Sequence, residues 1–396
     1  MKKLLSYALL IAIVVISTYI SIGYFTHDKT VPLYSDDKLR NFALSKGLRA
    51  TPSSFEELLK LVDNNASNPI TKEKIALGKE LFFDTNLSKN RKTSCATCHS
   101  FAKDIKNGAV LSGFLEKDTP NVTDCSACHL RDQSGVDRFT FSQGEGGAAH
   151  PHLLNTQTIL NTGFAKYLTW SGEVKSIKEQ SQNSFIALHK MNIEPKELED
   201  RLRADKKYLS LFGDEANITF ENANKAIEVY VKTLTTRGSY DRFLEGDNDA
   251  ISDQAKRGLA NFIHFGCKGC HHGISLGGQS IQKFPLRDFA NVLELRLNQS
   301  IMEQLKIFES RFPFKNDGGF LGKSDNYLFR VPILRNVSKT SPYFHNGSVA
   351  KLREAVDVMA RHQLGRHMSD EQIDEIVAFL RTLEGEIVDY GIGDKK

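Results

Sequence analysis

The sequence contains Cys95-Ala-Thr-Cys98-His99, Cys125-Ser-Ala-Cys128-His129 and Cys267-Lys-Gly-Cys270-His271, three copies of one pattern. These copies hold all six cysteines of the 396-residue chain. In a Cys-x-x-Cys-His motif both thiols lie on one turn and bond to the two vinyl groups of a haem, while the histidine binds its iron. The motifs predict three covalently bound c-type haems, and two at minimum.

Zinc binding and thiol redox chemistry are the alternatives for such cysteines. A zinc site needs Cys-x-x-Cys pairs that meet each other, and a redox pair needs a βαβ context. Neither suits a chain whose pattern is mainly helical. With 40% hydrophobic and 25% charged residues the composition is that of a globular protein. The net charge of +4 is small for this length, so no nucleic-acid partner is expected.

The N-terminus carries the pattern of a membrane anchor. Lys2 and Lys3 precede an uncharged run of 22 residues from Leu4 to Phe25. A helix of that length covers about 33 Å, enough to cross the apolar core of a bilayer. No convincing small-x-small cleavage site precedes His27, so an uncleaved anchor is favoured over a cleaved signal peptide. The two lysines favour a cytoplasmic N-terminus, which predicts a protein on the periplasmic side of the inner membrane.

The predicted fold is mainly α, with two cytochrome c-like haem domains in tandem behind an N-terminal transmembrane helix. Apolar spacing predicts helices at 196–212, 220–234, 252–265, 349–359 and 369–383. We place the anchor at 1–27, a tether at 28–68, an N-terminal haem domain with the extra motif at 69–245 and a C-terminal haem domain at 246–390. A faint repeat supports two related units, because glycine and phenylalanine stand four apart before both the first and the third motif.

The sequence from about 69 to 386 resembles the bacterial dihaem cytochrome c peroxidases and their relatives that modify protein tryptophans. The resemblance rests on these stretches: Leu77-Gly-Lys-Glu-Leu-Phe-Phe-Asp84, Leu87-Ser88, Asn155-Thr-Gln-Thr-Ile-Leu-Asn161, Trp170-Ser-Gly172, Glu179-Gln180, Phe329-Arg-Val-Pro-Ile-Leu-Arg-Asn336, Thr340-Ser-Pro-Tyr-Phe-His-Asn-Gly347 and Gln363-Leu-Gly365. It implies that the N-terminal domain carries the peroxidatic haem and the C-terminal domain the haem that receives electrons.

The resemblance also implies roles for residues outside the motifs. Met359 matches the sixth ligand of the electron-receiving haem, whose proximal ligand is His271; a thioether there raises the reduction potential. The tryptophan-modifying relatives carry a tyrosine at this position. Trp170, the one tryptophan of the chain, matches a residue between the haems that assists electron transfer. An interdomain calcium ion is implied at Asn155, Thr340 and Pro342.

Two motifs compete for the peroxidatic haem. The first fits the family spacing counted from Leu87-Ser88, and the second fits nearly as well counted back from Asn161. We lean to His99 as the peroxidatic ligand, with Cys125, Cys128 and His129 carrying an added haem, but the reverse assignment stays open.

Three positions depart from the family pattern. The switching histidine of many members falls near Gly147 here, out of register with His150 and His152, each of which is either an iron ligand or a solvated loop residue. The family's active-site Glu aligns with Lys190, while Gln180 is kept. A lysine ammonium cannot accept the proton that peroxide cleavage releases, so the neighbouring His189 is our candidate base. Glu173 replaces an arginine.

The leading hypothesis is a peroxidase that reduces hydrogen peroxide to water. Its electron donor would be a small cytochrome c, a cupredoxin or a membrane quinol, and a homodimer is expected from the family alone. One alternative is a multihaem electron-transfer protein without peroxidase activity. The other is a high-valent haem enzyme that modifies a partner protein, against which Met359 argues.

Overall fold

The computed structural model describes residues 31–63, 66–99, 136, 142, 144, 149–286 and 312–391. The helix predicted at 4–25 lies outside these residues. Within them, no helix has both the length and the apolar character needed to cross a membrane; Phe220–Thr233, the longest, has 14 residues. We therefore correct the prediction of an N-terminal anchor that holds the protein at the inner membrane, because the structure gives it no support.

The described chain is mainly helical, which confirms the predicted class. The helices are α1 Asp36–Ser45, α2 Phe55–Leu61, α3 Lys72–Phe83, α4 Cys95–Cys98, α5 Ile177–Ile186, α6 Pro195–Arg203, α7 Lys206–Phe212, α8 Phe220–Thr233, α9 Ser239–Leu244, α10 Asp253–His264, α11 Leu352–Val358 and α12 Asp370–Thr382. A π-helical turn, Met359–Leu364, continues α11. The 3₁₀ turns are Thr85–Leu87, Thr162–Phe164, Glu215–Asn217, Cys267–Gly269 and Val337–Lys339.

The strands described in the structure are short and form two antiparallel pairs. They are β1 Thr236–Gly238, β2 Ile281–Lys283, β3 Leu328–Arg330 and β4 Gly385–Ile387. Strand β1 pairs with β4, and β2 pairs with β3. The β1–β4 pair connects the middle of the chain to its C-terminal segment.

The two halves repeat one arrangement, a helix that crosses a second helix at a glycine and leads into a Cys-x-x-Cys-His turn. A Cβ on Gly78 of α3 would lie 2.1 Å from the carbonyl oxygen of Ala226 in α8. A Cβ on Gly258 of α10 would lie 1.8 Å from the carbonyl oxygen of Glu375 in α12. Only glycine permits approaches this close. The faint sequence repeat therefore reflects two equivalent helix crossings.

Local sequence signals explain where the helices begin and end. Ser369 and Gln372 form the predicted capping box of α12, the serine hydroxyl accepting from the Gln372 amide at 3.2 Å. The helix predicted at 196–212 is broken instead, because Asp205 accepts a hydrogen bond from the Lys207 amide and begins a new helix there.

Each half has its own hydrophobic core, and each chain end contributes to the core of the other half. The first core runs from Leu58 to Leu234, with Ile387 and Tyr390 packed against it. The second runs from Tyr240 to Leu383 and also contains Leu39, Ala43 and Leu48. Residues 36–48, which fall in the range predicted as a tether, are therefore packed protein. The other domain bounds stay predictions.

A buried ion pair joins the segments that meet between the two cores. Arg335 donates to both carboxylate oxygens of Asp241, at 2.8 and 2.9 Å, and both side chains are only 1% exposed. Asp241 also accepts from the backbone amides of Thr51 and Gly238. One carboxylate thus fixes the N-terminal segment, β1 and the loop after β3.

Candidate haem centres and active site

The third motif forms a tight turn after α10. Gly266, with a φ of +100°, follows the helix, and Cys267–Gly269 forms a 3₁₀ turn. A left-handed φ of this kind favours glycine. The turn brings Cys267, Cys270 and His271 to the wall of one cavity.

His271 is oriented for metal binding. It is 7% exposed, and its Nδ1 donates to the carbonyl oxygen of Leu276 at 3.1 Å. A proton fixed on Nδ1 leaves the lone pair on Nε2, which is the usual arrangement of a ligating histidine. Burial lowers the pKa of His271 to about 4, so the ring is neutral, the form that binds a metal.

The cavity beside the third motif has a lining that suits a haem. It encloses about 1570 Å³ of space free of protein atoms, including its open mouth. Met359, the first residue of the π-helical turn, and Met368 both line it. Its apolar lining includes Phe262, Val331, Ile333, Leu334, Leu352, Ala355, Val356, Ile376 and Leu380. Two thiols, an imidazole and a thioether around one apolar cavity fit a c-type haem.

The first motif shares a backbone hydrogen bond with the third, although its turn is α-helical and that of the third is 3₁₀. Cys95–Cys98 is a single helical turn begun by Ser94, whose amide donates to the Thr97 hydroxyl at 3.0 Å. The His99 amide donates to the Cys95 carbonyl at 2.9 Å, as the His271 amide donates to the Cys267 carbonyl at 3.0 Å. Burial raises the pKa of the Cys95 thiol to about 12. The second motif, Cys125, Cys128 and His129, lies outside the described residues.

Lys190, at the position of the family's Glu, lies beside the first motif. Its charge interacts with the Cys98 thiol, while burial lowers the pKa of the lysine. The Lys190 Nζ donates to the Ser184 hydroxyl at 3.4 Å, and that hydroxyl donates to the Gln180 carbonyl at 2.8 Å. Gln180 and Ser184 are one turn apart on α5. Lys190 thus interacts with Cys98 of the first motif and is joined through Ser184 to the turn of α5 that carries Gln180.

Two of the histidines considered in the sequence meet beside this lysine. The rings of His150 and His189 are 4.6 Å apart and edge to face. Burial, with the neighbouring His189, His152 and Lys190, lowers the pKa of His150 to about 4. His150 is therefore partly buried in the structure. His152 is exposed, and its Nδ1 donates to the Gly318 carbonyl at 3.2 Å.

Trp170 lies in the wall of the second-half cavity, close to the predicted calcium residues. Its Nε1 donates to the Asn155 carbonyl at 2.9 Å. The Asn155 side chain in turn donates to the Pro342 carbonyl at 3.2 Å, and Thr340 lines the same cavity. The structure therefore brings Asn155, Thr340 and Pro342 to one cavity, with Asn155 and Pro342 in contact.

Arg330 is a further cavity residue, one that sequence reasoning did not single out. It is 3% exposed, and its Nη1 has no hydrogen-bond partner among the described residues. Burial lowers the pKa of its guanidinium to about 10. Burying a cation with an unused hydrogen-bond donor costs free energy unless an anion pairs with it. A haem carries two propionates, which are anions of this kind. The sequence feature that would have identified this residue is an arginine inside the otherwise apolar Phe329-Arg-Val-Pro stretch.

The fold and these motifs define a c-type cytochrome in which one helix-and-haem unit is repeated. The family model for di-haem cytochrome c peroxidase matches residues 72–123 and 116–249. The cytochrome c551 peroxidase of Pseudomonas aeruginosa is 31% identical over 342 residues, covering 84% of each chain. The methylamine utilization protein MauG of Methylophilus methylotrophus is 26% identical, covering 81% of this chain and 84% of its own.

Among solved structures, a MauG-like protein associated with microbial copper homeostasis has a TM-score of 0.61 at 22% identity, covering 84% of this chain and 94% of its own. That likeness concerns the fold. On the sequence matches, the chain belongs to the di-haem cytochrome c peroxidase family. Membership implies two covalently bound c-type haems and an oxidoreductase that acts on hydrogen peroxide with a cytochrome as donor.

Proposed function

We propose that this protein reduces hydrogen peroxide to water at a haem held by Cys95, Cys98 and His99. The observation that supports the assignment is the electrostatic interaction of Lys190 with Cys98, together with the hydrogen bonds that join Lys190 through the Ser184 hydroxyl to the Gln180 carbonyl. In the family the positions of Lys190 and Gln180 hold the groups that act on peroxide. The interaction with Cys98 favours His99, rather than His129, as the peroxidatic ligand.

The peroxidatic site needs a proton acceptor and a group that orients the substrate. A haem bound there supplies the iron and electrons for the reduction. Gln180 would hold peroxide through its amide. His189 would take the proton from one peroxide oxygen and return it to the other as the O–O bond breaks. One water then leaves, and the second oxygen takes up two electrons and two protons to leave as another water.

Electrons would be received in the second half and pass the indole of Trp170. We assign Cys267, Cys270, His271 and Met359 to the electron-receiving haem, because a thioether ligand would raise its reduction potential. A small cytochrome c is the donor that the family favours; a cupredoxin and a quinol are the other candidates.

A third haem and a calcium ion complete the proposed cofactors. The third haem rests on the Cys125, Cys128 and His129 motif alone. The calcium site rests on the contact between Asn155 and Pro342, since neutral oxygens of this kind are suitable calcium ligands. A homodimer stays an expectation from the family.

The test is stopped-flow mixing of the fully reduced holoprotein with one equivalent of hydrogen peroxide, once its haem content has been measured. We expect rapid haem oxidation at two electrons per peroxide. The matched variants are His99→Met and His129→Met: the first should abolish the fast reaction and the second should keep it. The opposite pattern would move the peroxidatic haem to the second motif. A wild-type protein inert to peroxide would overturn the proposed activity.

Two other functions have a specific observation behind them. Lys190 in place of the family's Glu favours a pure electron-transfer protein, which would show only six-coordinate, low-spin iron. The MauG match favours modification of a partner protein, but Met359 stands where those relatives carry tyrosine. Absence of any modified partner after peroxide treatment would exclude the second alternative.

A further inference from the structure

The first-motif site has a cation where the family has an anion. Lys190 lies beside Cys98, and its charge also acts on both His150 and His189. Within the described part of the chain, none of the titratable groups that act on these three side chains is a carboxylate. There the site has a pair of imidazoles next to an ammonium in place of the family's acidic base.

Packing fixes the two imidazoles against each other. Their rings are 4.6 Å apart with planes at 76°. Gly144 lies directly on the backbone of His189, since a Cβ on Gly144 would be 2.0 Å from the His189 carbonyl oxygen. The His150 Nδ1 accepts from the His152 amide at 3.1 Å. That bond needs a lone pair on Nδ1, so the proton of the neutral ring is on Nε2.

The electrostatics favour neutral rings, and only a neutral imidazole can accept a proton. Partial burial and the Lys190 charge both lower the pKa of His189, while burial together with His189, His152 and Lys190 lowers that of His150. Protonation of His150 would also break its bond from the His152 amide. The described titratable groups that face the pair are Lys190 and His152, and the group that faces Lys190 is Cys98.

We propose that Lys190 and His150 are positioning residues that keep His189 unprotonated and oriented as the proton acceptor, so that an imidazole next to an ammonium replaces the family's carboxylate. This inference rests on the proposed peroxidase function. On this inference, Lys190 contributes to the activity of the site, and its presence does not mean that the function of the family's Glu is lost.

The test is the pH dependence of peroxide reduction by the reduced holoprotein, compared among Lys190 variants. Removing the positive charge in Lys190→Met should move the acid limb of the rate profile up by about one pH unit, a tenfold loss of rate on that limb with little change at pH 8. Lys190→Arg keeps the charge and should keep the wild-type profile. An acid limb that does not move in Lys190→Met would overturn the inference while leaving the peroxidase function standing.

His150→Asn and His152→Asn form a matched pair on one loop. We expect His150→Asn to slow the reaction severalfold and shift its acid limb, and His152→Asn, which keeps the backbone amide that donates to His150, to have a smaller effect. Spin state distinguishes positioning from ligation: conversion of a low-spin to a high-spin ferric signal in His150→Asn would make His150 an iron ligand and overturn the proposal.

A readout independent of turnover is the NMR titration of histidines labelled with ¹³C at Cε1, the signals being assigned with His189→Gln and His150→Asn. Lys190→Met should raise the pKa of both imidazoles, and unchanged titrations would refute the electrostatic role. If the wild-type protein fails to react with peroxide, the proposed function fails, and this titration still decides whether Lys190 controls the pair.

Discussion

Gly258→Ala should force apart the helices that form the second-half core. The new Cβ would lie 1.8 Å from the Glu375 carbonyl oxygen and 3.0 Å from the Phe379 Cβ. Ordinary contact begins at 3.4 Å, so the backbones of α10 and α12 must separate by about 1.6 Å. No side-chain rotation relieves a contact with a backbone carbonyl. Overpacking of this kind costs about 1–3 kcal/mol.

The displacement should also reach the haem turn, because α10 leads directly into Cys267. For a cooperative unit of 150–250 residues, 2 kcal/mol lowers Tm by about 4–8 °C. Calorimetry of the holoprotein measures this change, and the thioether-to-iron absorption band reports the haem environment. We expect a lower Tm and a weakened band.

Gly269→Ala is the matched control, because its Cβ would meet no atom within 4 Å. Its Tm should equal that of the wild-type protein. Gly78→Ala should destabilise the first half comparably, since its Cβ would lie 2.1 Å from the Ala226 carbonyl oxygen. A Gly258→Ala protein with wild-type Tm, or a Gly269→Ala protein that melts equally low, would refute the reasoning.

Three further predictions concern single side chains. Met359→Ala should abolish the thioether-to-iron band and lower the reduction potential of the electron-receiving haem. Met368→Leu, in the same cavity, should leave the band and the potential unchanged. A redox titration of each variant decides which methionine is the ligand. Asp241→Asn leaves the buried Arg335 guanidinium without a counter-charge and should cost about 3–5 kcal/mol, measured by denaturant unfolding, and a loss below 1 kcal/mol would contradict the pairing. Trp170→Phe removes the hydrogen bond to the Asn155 carbonyl and should lower the free energy of unfolding by about 0.5–1.5 kcal/mol. It should also slow electron exchange between the haems, which pulse radiolysis measures; an unchanged exchange rate would exclude the indole from the electron path.

Local patterns in the sequence were enough for several of the helices and for the two described haem turns. The capping box at Ser369 and the glycine–phenylalanine repeat are short-range signals, and both have a counterpart in the structure. Helix α1 was missed although Leu39 and Ala43 have helical spacing, because its surroundings are polar and most residues of its core belong to the second half of the chain.

Contacts of long sequence separation account for what the sequence did not reveal. His150 and His189 are in ring contact, yet no periodicity links residues on a loop to residues after a helix. The same holds for Lys190 and Cys98, whose electrostatic interaction supports the proposed assignment of the first motif. Spacing alone left those two motifs nearly equal.

Because each end of the described chain packs on the core of the other half, the two halves are not independent fragments. Leu39 and Ala43 belong to the second core, while Ile387 and Tyr390 pack on the first, and the Tyr390 hydroxyl donates to the Pro52 carbonyl at 3.3 Å. A protease cut in the exposed loop 245–249 would thus yield two fragments that each retain a piece of the other's interior. The nicked protein should migrate as one particle, and a recombinant second half would require residues 36–48, supplied as a peptide or fused to it.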